Sequence, residues 1–410
     1  MNDTKLSLFG FMRFVYFSGV RKRFAGIFLF LTSMAVQAQL DTISLLHYNI
    51  LRFPEGNANK APLFRPILNY LQPDVVTLNE ITAIQALDSL DKYAFDTSRF
   101  VHAPWITDGE LVSVMYYRKD RLVLHSQGFL NTDPRRTNYY KLYSRFQDFS
   151  AFPDTLFFTV FVAHFKSSQG SDNEAIRAQQ ASTVRTFMDG LSPGANVLFA
   201  GDFNVYRSTE PAWINLKAEG RHALNDPINR EGSWSNNSSF ADVHTQSPRT
   251  ASFDLGVTGG LDDRFDFILA SDAVMDGRFG AQILPETYTA IGNDGEHFNR
   301  AIIASPTNTS VPDSVLQALH DFSDHLPVFC KMTLNPQLAY NSTMSSNYWG
   351  INCDFNFDQL QEGKLLDYTG RIIAINPNKE VWSSLKSGMY IFEGNLKNGE
   401  NCTQKVFKME

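Results

Sequence analysis

The sequence predicts an α/β layered protein, and three observations predict it. Short apolar, β-rich runs alternate with segments of helical spacing along the first half of the chain. Five of those runs end in polar, metal-competent or acid–base residues: Asn49, Glu80, His164, Asp202 with Asn204, and Asp324 with His325. From about Leu334 the character changes to short strands separated by turn residues, the pattern of a small all-β module. A length of 410 residues exceeds one typical core, so two folded domains are expected. With 43% hydrophobic and 19% charged residues the chain has the composition of a globular protein.

Taken in order, Arg21-Lys22-Arg23 precedes the apolar stretch Phe24 to Val36, which ends Val36-Gln37-Ala38. A basic n-region, an h-region and a small-residue site make residues 1–38 a signal peptide, cleaved after Ala38. The run falls short of the roughly 20 apolar residues that a membrane span requires. Thr42 to Ile50 reads as a strand ending near Asn49, and Arg65 to Leu71 as a helix stopped by Pro73. Asp74 to Glu80 is a second strand that delivers Glu80, and Ile84 to Leu90 is helical again. Val112 to Tyr117 and Arg121 to His125 alternate around Lys119-Asp120, the pattern of a β-hairpin. Phe157 to Ala163 leads into His164, and Ala175 to Met188 has helical composition, with Arg177 near its start.

Asn196 to Tyr206 reads NVLFAGDFNVY: a buried strand, a glycine for a sharp turn, then Asp202 and Asn204. Residues 207–260, rich in Asn, Ser, Gly and Trp, read as long surface loops. Arg264 to Leu269 is an alternating strand with Asp266 opposite its apolar neighbours. A loop from Ile291 to Pro312 and a short helix near Val315 to Leu319 precede Ser323-Asp324-His325-Leu326-Pro327-Val328.

Each polar residue has an ordinary reading by itself: Asp202 and Asn204 as turn formers, Glu80 as a helix N-terminal carboxylate, His164 as a packed histidine. Their recurrence at strand ends favours a shared rim of a sheet sandwich. A hard cation such as Mg2+ takes oxygen from one or two carboxylates plus water and substrate phosphate, a need that Glu80, Asn49 and Asp324 would meet. Phosphodiester hydrolysis further needs an activated water, charge stabilisation and a proton for the leaving oxygen, within reach of Asp202, Asn204 and two histidines.

The runs LLHYNI, VVTLNE, AHFKSS, LFAGDFN, RFDFIL and SDHLPV resemble, in order, those of the endonuclease/exonuclease/phosphatase superfamily. The resemblance spans Ile43 to Val328 and implies a four-layer α/β sandwich with Mg2+-dependent cleavage of phosphoesters, Mn2+ or Ca2+ being alternative ions. It implies a catalytic domain over residues 39–333 with metal at Glu80, Asn49 and Asp324. It pairs Asp266 with His325 and assigns the nucleophile to Asp202 and Asn204. His164, where abasic-site repair members carry a tyrosine, is similar to the deoxyribonuclease and sphingomyelinase branch and implies a leaving-group acid. Lys166 and Arg177 are expected to contact phosphate. Residues 334–410 resemble, through SSLKSGMYIF and TQKVFK, a type A sorting domain of the type nine secretion system. That implies a secreted or cell-surface protein whose partner is that secretion machinery, with no other stable protein partner expected. A small carbohydrate-binding module is the alternative for the tail.

A net charge of −7 with no long basic tract advertises no broad electrostatic grip on nucleic acid, although local cations and a metal suffice for a phosphodiester. Phosphate-loop, H-E-x-x-H and paired C-x-x-C motifs are absent from the sequence, and there is no G-x-S-x-G elbow: Gly190 to Gly194 fits those letters but follows a helical segment and precedes a strand, the reverse of a nucleophile elbow. Of three cysteines, Cys353 and Cys402 form the one expected disulfide, both lying in the tail. Three functions follow: a nuclease on environmental DNA or RNA, a phosphodiesterase or phosphatase on a phospholipid or sugar or inositol phosphate, and a binding protein on an inactive scaffold.

Overall fold

The computed structural model describes residues 41–336 apart from 108, 147–154 and 253, together with 338, 360–367, 371–385, 388–397 and 401–408. The expected signal peptide and Cys353 lie outside the described residues, and so does the side chain of Cys402.

Two mixed six-stranded sheets form the body. The first contains β1 (Asp41–Phe53), β2 (Val75–Ile81), β3 (Phe100–His102), β4 (Val112–Arg118), β11 (Ala281–Ala290) and β12 (Val328–Leu334), in the order β11-β12-β1-β2-β4-β3. The second contains β5 (Leu122–Leu130), β6 (Thr137–Ser144), β7 (Phe157–His164), β8 (Asn196–Asp202), β9 (Leu224–Asn225) and β10 (Asp266–Ser271), in the order β5-β6-β7-β8-β10-β9. Each sheet has one parallel pair near its middle, β1 with β2 and β7 with β8, and antiparallel neighbours elsewhere. Helices α1 (Ala61–Leu71), α2 (Gln85–Tyr93) and α6 (Asp313–Phe322) cover the first sheet, while α3 (Ser171–Asp189) and α4 (Pro211–Lys217) cover the second. A short α5 (Asp272–Asp276) follows β10. This is the α/β sandwich that the strand–helix alternation predicts.

The period of two along the strands divides the core into three layers. On β1, Leu46, Tyr48 and Ile50 face the helices with Phe64 and Phe322, whereas Ile43 and Leu45 face the other sheet. On β8, Val197 and Phe199 pack towards α3 and the buried Trp213 and Trp234, whereas Leu198 and Ala200 pack between the sheets. The inward set is therefore apolar at one end of each strand. At the other end the same alternation delivers His47, Asn49, Thr77, Asn79, His164, Asp202 and Asp266, each at most 4% exposed.

Three expectations are corrected. β4 and β5 are not a hairpin: they belong to different sheets, so Lys119-Asp120 carries the chain from one sheet to the other. Residues 207–260 are not only surface loops, for they contain α4, β9 and a 3-10 turn at Ser238–Val243, and they bury both tryptophans at 1% and 0% exposure. Gly201 is not a turn glycine but a strand residue opposite Ala163. A Cβ there would meet the Ala163 carbonyl oxygen at 2.3 Å, so close approach of β7 demands the glycine.

The tail forms a four-stranded sheet of β13 (Leu360–Asp367), β14 (Ile372–Ile375), β15 (Gly388–Leu396) and β16 (Asn401–Lys408), in the order β14-β13-β15-β16, with one short helix α7 (Lys379–Ser384). Among the described residues no helix is long and apolar enough to cross a membrane.

Candidate active site

Strand register assembles the first part of the site. Asp202 on β8 lies opposite His164 on β7 and opposite Asp266 on β10, so three side chains of alternate character stand in a row across the second sheet. Asn49 reaches into that row from β1. Its Nδ2 donates to Asp202 Oδ2 and to Glu80 Oε1, both at 3.0 Å. Leu51 N–H donates to Asn49 Oδ1 at 3.0 Å and fixes which end of the amide faces the carboxylates. Asn49 thus clamps two acids rather than presenting its own oxygen to them.

Glu80 needs a backbone irregularity to take part. Strict alternation on β2 would send it to the helix side with Val76 and Leu78. Instead its φ is 64° and the β2–β4 register shifts between Leu78 and Ile81, which re-aims the carboxylate. Arg52 N–H, itself at a φ of 40°, donates to Glu80 Oε2 at 2.9 Å. Asn204 has a φ of 49°, and its backbone N–H and side-chain Nδ2 donate to Asp202 Oδ1 at 3.1 and 2.7 Å. The main chain enters the left-handed region near the ends of β1 and β2 and just after β8, at the rim of the site, which is where strained backbone collects at functional sites.

The second part is a carboxylate–imidazole pair. His325 Nδ1 donates to Asp266 Oδ2 at 2.7 Å, both buried. Its Nε2 lies 3.8 Å from Asp202 Oδ2 and 2.7 Å from a terminal amide atom of Gln246, which is the amide oxygen when Nε2 carries a proton. Ser323 holds the segment in place, donating to the Asn49 carbonyl at 2.6 Å and accepting from His325 N–H at 3.2 Å. Thr245 Oγ1 accepts the N–H groups of Phe265 and Asp266 at 3.1 and 3.2 Å.

Electrostatics separates the roles. Burial pushes Asp202 up to about 7, with the charges of Asp266 and Glu80 adding to that and His325 opposing it. Burial alone would raise Asp266 too, but the charge and hydrogen bond of His325 outweigh it and hold that carboxyl below the usual carboxylate range. Burial works against a charged His325, yet Asp266 and Asp202 outweigh it and raise the imidazole well above its ordinary value. His164 moves the other way: burial first, then the positive Arg135, hold it well below and keep it neutral. One cationic and one neutral histidine therefore face the same carboxylate, a division that suits a charge-stabilising donor and a neutral base or ligand.

A divalent ion fits this donor set. Glu80, His164 and Asp202 offer ligand atoms within 4.8 Å of one another, with His164 Nε2 3.8 Å from Glu80 Oε1 and 3.5 Å from Asp202 Oδ2. Asp202 is an acid that burial keeps from ionising freely, and a cation would supply the charge that offsets the burial. Asp202, Asp266 and His325 make a second such group, already bonded internally.

Of the residues expected from the sequence, Asn49, Glu80, His164, Asp202, Asn204, Asp266 and His325 come together. Asp324 does not: along the extended segment it points away from His325, and its Oδ2 accepts Val257 N–H at 2.7 Å beside Gly256 and Arg249. Arg177 is corrected as well. It is fully buried, with Nε and Nη2 on Glu210 Oε2 at 3.0 and 2.8 Å and Nη1 on the carbonyls of Lys166 and Ser168 at 2.9 and 2.8 Å, so it braces a loop instead of meeting phosphate. Lys166 is half-buried, its Nζ donating to the Ser167 carbonyl at 2.9 Å. Gln246 and His47 are new to the site. Gln246 sits in a region that composition labels a loop. His47 was detectable, being two residues before Asn49 and so on the same face of β1.

No family model matches the sequence, and no curated protein matches it. Solved structures similar to it include D. rerio TDP2 with a single-strand DNA product, at TM-score 0.49 and 16% identity over 71% of this chain and 99% of that one. An endonuclease/exonuclease/phosphatase from Bacteroides vulgatus has TM-score 0.48 and 14% identity over 72% and 100%. The human Nocturnin catalytic domain with bound sulfate has TM-score 0.46 and 14% identity over 72% and 98%. At such identities and scores these likenesses assign no activity to this chain, which is argued from its own site.

Proposed function

We propose that this chain is a divalent-metal-dependent phosphodiesterase of the endonuclease/exonuclease/phosphatase type, with nucleic acid as its substrate class. One observation carries the reading: Asn49, Glu80, His164, Asp202, Asp266 and His325, from strand ends of two sheets and one connecting segment, meet in a single buried polar cluster. Isolated surface histidines and turn carboxylates would not share one row across facing sheets.

Glu80 would hold the ion with Asp202 facing it, and His164 stays outside the ligand set; Mg2+ suits carboxylate oxygens, Mn2+ or Ca2+ being alternatives. When bound, the ion would supply charge stabilisation to the phosphate oxygens. Asp202, kept in place by Asn204 and Asn49, orients the attacking water and accepts its proton. His325, held cationic by Asp266, donates Nε2–H to a phosphate oxygen and stabilises the charge that grows there. His164 is neutral in the resting site, so as leaving-group acid it would first have to gain a proton; the proximity of Asp202 Oδ2 at 3.5 Å supports such a transfer.

The test uses the chain from Gln39 onward with Mg2+ and with chelator against plasmid DNA, RNA, sphingomyelin and a phosphomonoester. DNA or RNA cleavage that requires metal, and that Asp202→Ala or His325→Ala abolishes with unchanged circular dichroism, supports the reading. Retained cleavage in either variant refutes the mechanism. A second reading, a lipid phosphodiester, is favoured by Leu255 and Val257, 56% and 51% exposed on the loop bonded to Asp324 next to His325. Turnover of sphingomyelin without DNA cleavage would decide for it.

The proposal extends to location. A cleaved leader over residues 1–38 and a sorting module over 334–410, passed by the type nine machinery, would place residues 39–333 outside the cell. N-terminal sequencing of protein from the medium should begin at Gln39; an uncleaved chain in the cytoplasm would exclude this.

A further inference from the structure

His47 has no part in the chemistry above, yet it is fully buried against the reacting groups. Its strand explains the position. On β1 it precedes Asn49 by two residues, so it shares the inward face, and it pairs in register with Thr77 on β2. Its Nδ1 lies 3.0 Å from Thr77 Oγ1. Its Nε2 lies 3.6 Å from Asp266 Oδ1, across the gap between the sheets. Neither of those last two atoms has another hydrogen-bond partner among the described residues. Asp266 therefore stands between two imidazoles, with His325 on one oxygen at 2.7 Å and His47 facing the other. A separation of 3.6 Å is longer than a formed hydrogen bond, but catalytic contacts are commonly loose before substrate binds and tighten in the complex.

The Asp266 carboxylate sets the tautomer, because its open Oδ1 can only accept. The Thr77 hydroxyl has one proton and two acceptors in reach, His47 Nδ1 at 3.0 Å and the Leu46 carbonyl at 3.3 Å. With an acceptor facing Nε2, the single proton of a neutral imidazole sits there, aimed at Asp266, and Nδ1 is left to accept the Thr77 hydroxyl in place of the Leu46 carbonyl. Burial holds His47 below its ordinary value, which agrees with a neutral ring.

The geometry points to His47 as a positioning residue, locked by Thr77, that holds Asp266 in the orientation from which it steers and stabilises His325. The inference rests on the phosphodiesterase reading for its kinetic test, and a spectroscopic test stands apart from that reading. With the full chain, His47→Phe should lower kcat about 10- to 100-fold, the range seen when a group supporting a site ligand is removed, with KM changed less than about twofold. His47→Gln, whose amide can offer N–H near the place of Nε2, should restore most of the loss. Thr77→Val should give an intermediate loss, and it carries the test if the phenylalanine variant does not fold. In 15N-histidine spectra the low-field His325 Nδ1–H signal should shift or broaden in His47→Phe and return in His47→Gln. An unchanged signal in a folded His47→Phe or Thr77→Val overturns the inference whether or not the parent cleaves anything. So does an unchanged kcat in an active protein, or equal losses in the Phe and Gln variants that merely track Tm. A parent without metal-dependent turnover but with the spectroscopic shift would sink the proposed function and leave the positioning role standing.

Discussion

Replacing Arg177 by Met should destabilise the protein and leave phosphate recognition alone. The guanidinium makes four hydrogen bonds, two to Glu210 Oε2 at 3.0 and 2.8 Å and one to each carbonyl of Lys166 and Ser168 at 2.9 and 2.8 Å. Both charges are at 0% exposure, so neither can fall back on water. Removing one partner of a buried pair costs about 3–5 kcal/mol, because the other charge stays buried and unpaired. Glu210 would keep only the Tyr206 N–H at 2.8 Å. For a domain of this size that loss lowers Tm by roughly 10 °C. Urea unfolding of Arg177→Met, Glu210→Gln and the double variant measures it. The double variant should lose at least about 1.5 kcal/mol less than the sum of the singles, since the second change removes the stranded charge. The reasoning fails if Arg177→Met keeps its stability within about 0.5 kcal/mol while KM for a phosphodiester rises, for that is how a solvent-facing phosphate contact would behave.

Three further outcomes follow from the same geometry. Burial pushes the Lys60 amine down to about 8 from 10.5, so between those values the unfolded chain carries a proton that the folded one lacks. Stability should therefore rise with pH across that window by up to about 3 kcal/mol, and the rise should vanish in Lys60→Met, as read by urea midpoints at pH 7.5 and 10. Gly201→Ala should cost about 1–3 kcal/mol by forcing β8 off the Ala163 carbonyl, and a Tm within about 2 °C of the parent would contradict that close approach. Mg2+ or Mn2+ at about a hundred times its dissociation constant should raise stability by about 2.7 kcal/mol in the parent, reversed by chelator, and should do nothing for a Glu80→Gln/Asp202→Asn variant. An equal shift in both would place the ion elsewhere.

How far the sequence reveals this site depends on what kind of contact places each residue. Asn49, His164, Asp202 and Asp266 were legible because a strand's alternation and its end are local properties. Once two sheets face each other, inward residues at matching ends must meet. Glu80 was legible as a strand-end acid, but its aim depends on a left-handed backbone at φ 64° that no residue pattern around it announces. Arg177 and Asp324 were misread for a non-local reason. The partner of Arg177 is Glu210, 33 residues on, in a stretch whose Asn, Ser and Gly content reads as loop although Trp213 and Trp234 anchor it. Asp324 and His325 are adjacent in an extended segment, so only one of them can face the rim. The β4–β5 error has the same origin: alternation says that both are strands and is silent on which sheet receives each.

His47 shows where residue patterns and geometry can be joined. Inside an apolar run a lone histidine reads as an exception to the core. Placed on the inward face two residues before Asn49, it belongs instead to a polar layer that includes Thr77, Asn79, Ser113 and Asn138. Asn79 donates to Ser113 Oγ at 2.8 Å and accepts Asp202 N–H at 3.1 Å, and Asn138 donates to the Ser113 carbonyl at 2.8 Å. Most members of such a layer must satisfy one another, because a buried polar group left unpaired costs about 1–3 kcal/mol. The atoms that stay without partners therefore carry information. Among them are His47 Nε2, Asp266 Oδ1 and His164 Nδ1, all beside the row of acids on which the proposed chemistry would act. Asn138 Oδ1 in the same layer is open as well, so what marks His47 Nε2 and Asp266 Oδ1 is that they face each other at 3.6 Å beside the row of acids, an arrangement around a reacting group rather than around stability alone.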